Sequence, residues 1–386
     1  MNEIPTCPVC GSNAVELVSL RDMPVLANEL WPTAAEAKAA PKGDIDLAYC
    51  SVCAMIWNRS FDPDRMVYAP GYENALHHSP TFRRFAEDLA DELVQRFDLV
   101  GKDVIEIGSG DGHILSLLAG RGVVSATGYD PSMKDRPSPF TEREGVEIVA
   151  EYFEAGRVDR PYDAVLCRHV IEHLEDPAQL LGNLRSVIGD RKTPVYFEAP
   201  NALWMVDSVS IWDVIYEHVG YWTKPSFETA FRRAGFAPLS LKTRYGDQFL
   251  SIEATPTIPE PNWTAEDVSG TVAAISAFGE ASRNSIAEWR AKFAGRTGRS
   301  VIWGAGSKGI TFNNAVAPGI DALVDLNPKK HGRFVPGTGA PVIDPSGLRD
   351  LAPDLVLIAN GLYEAEIRKT VQDDLGLSPE FAIIAG

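Results

Sequence analysis

Apolar residues recur along this chain in two rhythms. In FRRFAEDLADELVQRF, the residues Phe82, Phe85, Leu89, Leu93 and Phe97 return close to every 3.6 positions, which predicts an amphipathic helix. From Lys102 to Glu253 short apolar runs alternate with helical stretches: DVIEI, SATGYD, VEIVAEYF, YDAVLC and PVYFEAPN, then a late hairpin, GFAPLSLKTRYG followed by QFLSIEA. Strands alternating with helices predict a parallel α/β sheet. Residues 256–298 open on the proline-rich PTIPEPNW and continue as a polar amphipathic helix, Thr264 to Phe293. A fresh strand within SVIWGAGSKG then begins a second α/β unit that runs to Gly386. These changes of rhythm divide the chain at 1–70, 71–255, 256–298 and 299–386.

Composition narrows the function classes. A chain of 386 residues, 45% hydrophobic and 23% charged, is long enough for two or three folded domains. Its formal charge of −17 argues against general binding to a phosphate backbone, so no nucleic-acid polymer is expected as a partner. An anionic small molecule in a local pocket remains compatible with it. No apolar run reaches the length of a membrane span, and MNEIPTCPVCGSN lacks the basic and apolar regions of a signal peptide. A cytoplasmic location without a membrane partner is expected, where thiols stay reduced. Four of the five cysteines then form two knuckles, Cys7-Pro-Val-Cys10 and Cys50-Ser-Val-Cys53. Each knuckle presents two thiolates to one ion, which predicts a closed, structural Zn2+ site. Cys167, at the end of the fourth strand, reads as buried packing.

The first glycine loop carries the chemistry. Glu106, Gly108, Gly110 and Gly112 form E-x-G-x-G-x-G between a strand and the helix HILSLLAGRG. Glycines let a backbone pass close to a ligand, and the spacing differs from the dinucleotide fingerprint G-x-G-x-x-G. The loop resembles motif I of class I S-adenosylmethionine methyltransferases. That resemblance implies a loop lying under the methionine part of the donor, Asp130 on the ribose hydroxyls, and Glu151 with Tyr152 near the adenine. His169, in RHVIEHLEDP, then belongs to the cofactor pocket near the transferred methyl. His169 and His173 make H-x-x-x-H, but the sequence offers no third metal ligand beside them.

The order of parts resembles the bacterial C-methyltransferases that act on nucleotide-linked deoxysugars. The likeness rests on CPVCGS, MPVLANEL, YCSVC, MVYAPGYEN, motif I, RHVIEHLEDP, EAPN, GAGSKG and VDLNPKKHGRFVPGT, and it covers essentially all of the chain. It implies a small N-terminal zinc-binding domain, a central class I Rossmann-like sheet and a C-terminal Rossmann-like α/β domain. It also implies that the acceptor is a nucleotide-linked keto sugar, whose ketone acidifies a neighbouring C–H. A base removes that proton and the enolate attacks the methyl. The family's Tyr-x-Glu-His-x-x-Tyr segment corresponds to Ile215-Tyr216-Glu217-His218-Val219-Gly220-Tyr221, with the first tyrosine displaced by one position. His218 is then the expected base, Glu217 its orienting partner and Tyr216 a proton relay or enolate ligand. Tyr68, Tyr72, Asn201 and Tyr221 are expected to contact the substrate. The family's His-Gly-Gly-Ser-Leu-Arg stretch is replaced by Tyr245-Gly246-Asp247-Gln248-Phe249-Leu250, which leaves O- or N-methylation as the alternative.

Gly304-Ala305-Gly306-Ser307-Lys308-Gly309 is a complete G-x-G-x-x-G, with Asp325 at the end of the next strand. Three readings stand: an NAD site, a purely structural loop, or, as the resemblance implies, a cradle for the substrate diphosphate with Ser307 and Lys308 as contacts. Lys329, Lys330, His331 and Arg333 form a small basic cluster nearby, either a solvated face or a further hold on an anionic substrate.

Overall fold

The structure is a computed structural model that describes residues 6–66, 76–154, 161–316 and 319–384. Its strands, in chain order, are β1 (Ala14–Pro24), β2 (Lys42–Cys50), β3 (Ile56–Asn58), β4 (Asp103–Ile107), β5 (Ser125–Tyr129), β6 (Val146–Val149), β7 (Ala164–Arg168), β8 (Val195–Pro200), β9 (Gly220–Tyr221), β10 (Phe236–Arg244), β11 (Phe249–Pro256), β12 (Ser300–Trp303), β13 (Ala322–Val324), β14 (Val342–Ile343), β15 (Leu355–Ile358) and β16 (Glu380–Ile383). They form three sheets.

The central sheet runs β10-β11-β8-β7-β4-β5-β6. Its strands β4 to β8 are parallel, and β11 inserts antiparallel between β8 and β10. This is the expected class I Rossmann-like arrangement. Both faces are covered, so neighbouring residues alternate between two apolar clusters. Ile105, Val165 and Phe197 face one cluster, while Val104, Ala164 and Tyr196 face the other. The helix Pro80–Phe97 closes the second face. Ser79 caps it by accepting from the N–H groups of Thr81 and Phe82, and Pro80 starts the first turn. Phe82, Leu89 and Leu93 are buried as the periodicity predicts, with Phe85 and Phe97 at the edge of the stripe.

The C-terminal sheet, β14-β13-β12-β15-β16, is entirely parallel and Rossmann-like. The N-terminal sheet is antiparallel, in the order β1-β2-β3-β9. Strand β9 comes from the middle of the chain and pairs with β3 at the edge of this sheet. The physical reason is apolar. Residues 202–222 carry Met205, Ile211, Trp212 and Ile215, which pack in one core with Leu20 and Ile45 of the first sheet, Leu357 of the last and Phe312 of the helix Ser307–Val316. Trp212 Nε1 donates to the Ile384 carbonyl at 2.9 Å, tying this segment to the C-terminal sheet. The linker helix, Ser269–Ala294, buries Ile275 and Phe278 in that same core. Among the described residues no helix is long and apolar enough to cross a membrane.

Candidate active site

The first glycine loop follows β4 and adopts a backbone that only glycine adopts easily. Gly108, Gly110 and Gly112 have φ of 70°, 53° and 83°. A Cβ on Gly108 would lie 2.1 Å from Val170 Cγ2, whereas one on Gly110 would meet nothing within 4 Å. The loop is thus packed beneath Gly108 and open above Gly110. Asp130, at the end of β5, pins it: Oδ2 accepts from the Gly110 N–H at 2.7 Å and Oδ1 from the Ser132 N–H at 2.9 Å.

A buried charge network lies under this loop. Arg168 donates through Nε and Nη2 to Glu198 Oε1 at 3.1 and 3.0 Å, and the Tyr196 hydroxyl donates to Glu198 Oε2 at 2.8 Å. Burial opposes ionisation of Glu198, but Arg168 and His169 outweigh it and hold the carboxylate down at about 2. Glu106 stands farther from Arg168, at 3.8 Å, and burial pushes it up to about 7.

The loop opens into a cavity of about 680 Å³. One wall carries Gly108, Gly110 and Asp130; the middle carries His169, Glu172, His173 and His218; the far wall carries Gly306, Ser307 and Lys330. A smaller recess of about 260 Å³ reaches on to Lys308 and Asp325. His169 has a left-handed φ of 54°, strained for a side-chain-bearing residue. Its ring nitrogens lie 3.6 Å from Glu172 Oε1 and 3.3 Å from Glu198 Oε1. Burial alone would lower this imidazole, but the two carboxylates push it up to about 9. His218 is the opposite case: burial, helped by the charge of His173, brings it down to about 3 and keeps it neutral. The His173 and His218 rings meet edge to face, 4.9 Å apart.

Three expectations for this site need correction. Glu217 does not orient His218. Its side chain is fully buried on the N-terminal side, where Oε1 accepts from the Ala27 N–H at 2.6 Å. Tyr216 does not line the cavity. Its hydroxyl accepts from the Asp62 N–H at 3.0 Å, and its ring fills the space over Gly43, where a Cβ would lie 2.3 Å from it. Both side chains follow the apolar core of the first sheet instead of the ligand space. Glu151 and Tyr152 do not line the cavity either. β6 ends at Val149, and Tyr152 is 71% exposed. Tyr68 and Tyr72 lie outside the described residues.

Asn201 and Tyr221 do border the cavity, yet their polar atoms serve the fold. Asn201 caps a short helix by accepting from the Leu203 N–H and donates to the Asp247 carbonyl. The Tyr221 hydroxyl accepts from the Ile215 N–H and donates to the Ile215 carbonyl, closing the loop that presents His218. Arg168 and Glu198 are site residues that sequence reasoning passed over, whereas His173 figures in it only with His169, as half of a metal pair. The signal at Arg168 and Glu198 is an ionisable group near the end of an apolar strand.

At the second loop, Asp325 Oδ2 accepts from the Ala305 N–H at 3.0 Å. Lys330 donates to the Ala305 carbonyl at 2.9 Å and pairs with Asp325 at 3.2 Å. Lys330 is therefore buried and structural rather than part of a solvated face. The Lys308 ammonium sits 3.2 Å from Asp213 Oδ2 and 4.3 Å over the Trp204 ring.

Apart from this cavity, Cys7, Cys10, Cys50 and Cys53 converge. The Cys7–Cys53 and Cys10–Cys50 sulfurs lie 3.5 and 3.4 Å apart. Four thiolates around a tetrahedral zinc stand about 3.8 Å apart, so these side chains fit the ion. The Thr223 hydroxyl donates to the Ala54 carbonyl at 3.1 Å, coupling the second knuckle to the segment after β9.

Residues 82–241 match a family model described as a methyltransferase domain, and residues 273–381 match one described as a C-methyltransferase C-terminal domain. Over 102 residues the chain is 28% identical to a ubiquinone biosynthesis O-methyltransferase of Rickettsia felis, a match covering 25% of this chain and 42% of that enzyme. Among solved structures, the magnesium protoporphyrin IX methyltransferase of Synechocystis with bound S-adenosylhomocysteine is 17% identical, with 46% of this chain and 84% of that one covered and a TM-score of 0.36. A methyltransferase from Aquifex aeolicus is 15% identical, covering 47% and 95%, with a TM-score of 0.36. The chain thus carries an S-adenosylmethionine-dependent methyltransferase domain joined to a C-methyltransferase C-terminal domain.

Proposed function

We propose that this protein transfers a methyl group from S-adenosylmethionine to a carbon of a nucleotide-linked keto sugar. The observation that carries the reading is the single cavity running from the donor loop, past three histidines, to the second glycine loop. Gly108, Gly110 and Asp130 hold the donor, which supplies a methyl already electrophilic on its sulfonium. Ser307 and Lys308, beside the second loop, hold the acceptor's diphosphate. The match of 273–381 to a C-methyltransferase domain favours carbon as the methylated atom.

Deprotonating a carbon beside a ketone needs a neutral base held at the cavity and shielded from water. His218 is the candidate for that role by position: it lines the cavity, and Tyr221 fixes the loop that presents it. His169 places positive charge in the same cavity, where an enolate develops. The cysteine cluster holds a structural zinc, and reduced thiols of this kind fit a cytoplasmic location. With a methyl donor present and keto nucleotide-sugars as acceptors, His218→Ala should lower turnover by roughly 10²–10⁴-fold while S-adenosylhomocysteine affinity stays unchanged. Full turnover by that variant would remove His218 as the base. A methoxy product in the NMR spectrum would move the reading to O-methylation.

A further inference from the structure

Three side chains on the cavity wall converge without being joined to one another by hydrogen bonds. Glu172 and His173 lie in the single 3₁₀ turn Ile171–His173 that follows β7, and His218 sits just before β9. Two distant parts of the chain are thereby brought to one point, because β9 is pinned to β3 of the N-terminal sheet. One potential ligand atom from each of the three lies within 4.8 Å of the other two.

The hydrogen bonding around Glu172 and His173 leaves one atom of each available to an ion. His173 Nδ1 is 2.9 Å from the Glu217 carbonyl. A carbonyl only accepts, so Nδ1 carries a proton, which leaves Nε2 as the nitrogen available to an ion. Metal-binding histidines show this same backbone hydrogen bond on the nitrogen away from the ion. Glu172 is 1% exposed, and Oε1 faces His169. Its second oxygen, Oε2, is buried and has no hydrogen-bond partner among the described residues. A buried carboxylate oxygen without a partner is costly enough to demand an explanation.

We propose that Glu172, His173 and His218 form a second metal site, for a borderline divalent ion such as Zn2+ or Co2+, separate from the four cysteines. Two imidazoles and one carboxylate are a donor set for such ions, and three protein ligands leave a position open to the cavity. Ligands around a tetrahedral ion stand about 3.4 Å apart, so small side-chain rotations close the site. Coordination uses the His218 lone pair that proton abstraction also needs. An ion here therefore blocks the base, and the open position offers an oxygen of the acceptor a ligand site instead.

The test is a titration of the full-length protein with Co2+ alone, after its cysteine site has been filled with zinc. We expect one further equivalent whose visible spectrum has weak ligand-field bands and none of the intense charge transfer that thiolates give. Glu172→Gln and His173→Ala should each lose that equivalent while unfolding cooperatively as the parent does. If one variant fails to fold, His218→Gln serves in its place. Added Co2+ should also slow methyl transfer in proportion to occupancy of this site and leave S-adenosylhomocysteine affinity unchanged. No extra equivalent in the parent protein, or an extra equivalent that survives every variant, overturns the proposal. Neither result bears on donor binding or on the acceptor, which are read separately.

Discussion

The two glycine loops of this molecule are built alike but stand among different side chains. In each, an aspartate at or just beyond the end of the next strand accepts from a loop N–H: Asp130 from Gly110 at 2.7 Å and Asp325 from Ala305 at 3.0 Å. Each has one glycine, Gly110 or Gly306, where a Cβ would meet open space. The surroundings differ. Two residues before Gly108 stands the buried carboxylate of Glu106, and the matching position before Gly304 is the buried Ile302. The second loop itself carries Lys308, paired with Asp213, and Lys330 bonds its Ala305 carbonyl. Glycine spacing therefore identifies a backbone device, while the side chains beside it set the two loops apart: a buried Glu106 facing Arg168 at the first, and two lysines paired with Asp213 and Asp325 at the second.

The largest effect that separates them comes from adding a single carbon. At Gly108 a Cβ meets Val170 at 2.1 Å in a left-handed backbone; at Gly309 it meets the Gly304 carbonyl oxygen at 2.0 Å. Left-handed strain of roughly 1–2 kcal/mol and overpacking of roughly 1–3 kcal/mol act on the donor loop in Gly108→Ala. S-adenosylhomocysteine affinity should fall on the order of 10²-fold by calorimetry. Gly309→Ala should lower the melting temperature and leave that affinity as it was. Equal losses of donor affinity in both variants would mean that the loops do not bind separate ligands.

A smaller contrast is available at the aspartates. Asp130→Ala removes a charged acceptor from the donor wall and frees the Gly110 N–H, an effect of about 1–3 kcal/mol, or roughly 10–100-fold in donor affinity. Asp325→Ala should not change donor binding, because Asp325 borders the recess at the second loop and not the wall that carries Gly108 and Gly110. Donor affinity that survives Asp130→Ala would place the donor elsewhere in the cavity.

What the sequence made legible follows the same division. Local patterns sufficed for the Pro80–Phe97 helix, the central strands and the convergence of four cysteines, because periodicity and knuckle spacing act within a few residues. Two of the failures sit where the chain segment 202–222 crosses between sheets. Tyr216 and Glu217 read as chemistry beside His218, yet they are drawn into the first sheet's core by Gly43 and by the Ala27 N–H, partners more than 150 residues away. The pairing of β9 with β3 leaves no signal in a two-residue strand. The same crossing supplied His218 as a partner for Glu172 and His173, a relation that H-x-x-x-H spacing alone does not contain.

The smallest expected effect concerns the carboxylate that only the donor wall possesses. Burial pushes Glu106 from an ordinary 4.5 up to about 7 in the folded protein. Between those values the folded protein holds a proton that the unfolded chain has released. Its contribution is therefore fully present below about pH 4.5 and is lost as pH rises through about 7. Glu106→Gln keeps the shape and removes the titration. In the ligand-free protein, the melting temperature of the variant should decline less steeply than that of the parent between pH 5 and 8, by a few kcal/mol of stability at most. Ile302→Val at the matching position of the second loop cannot titrate, so it should shift the whole curve without changing its slope. A parent and a Glu106→Gln variant with parallel curves would show that Glu106 is already ionised in the folded state, held by Arg168 across 3.8 Å, and that the donor wall stays negative before any ligand arrives.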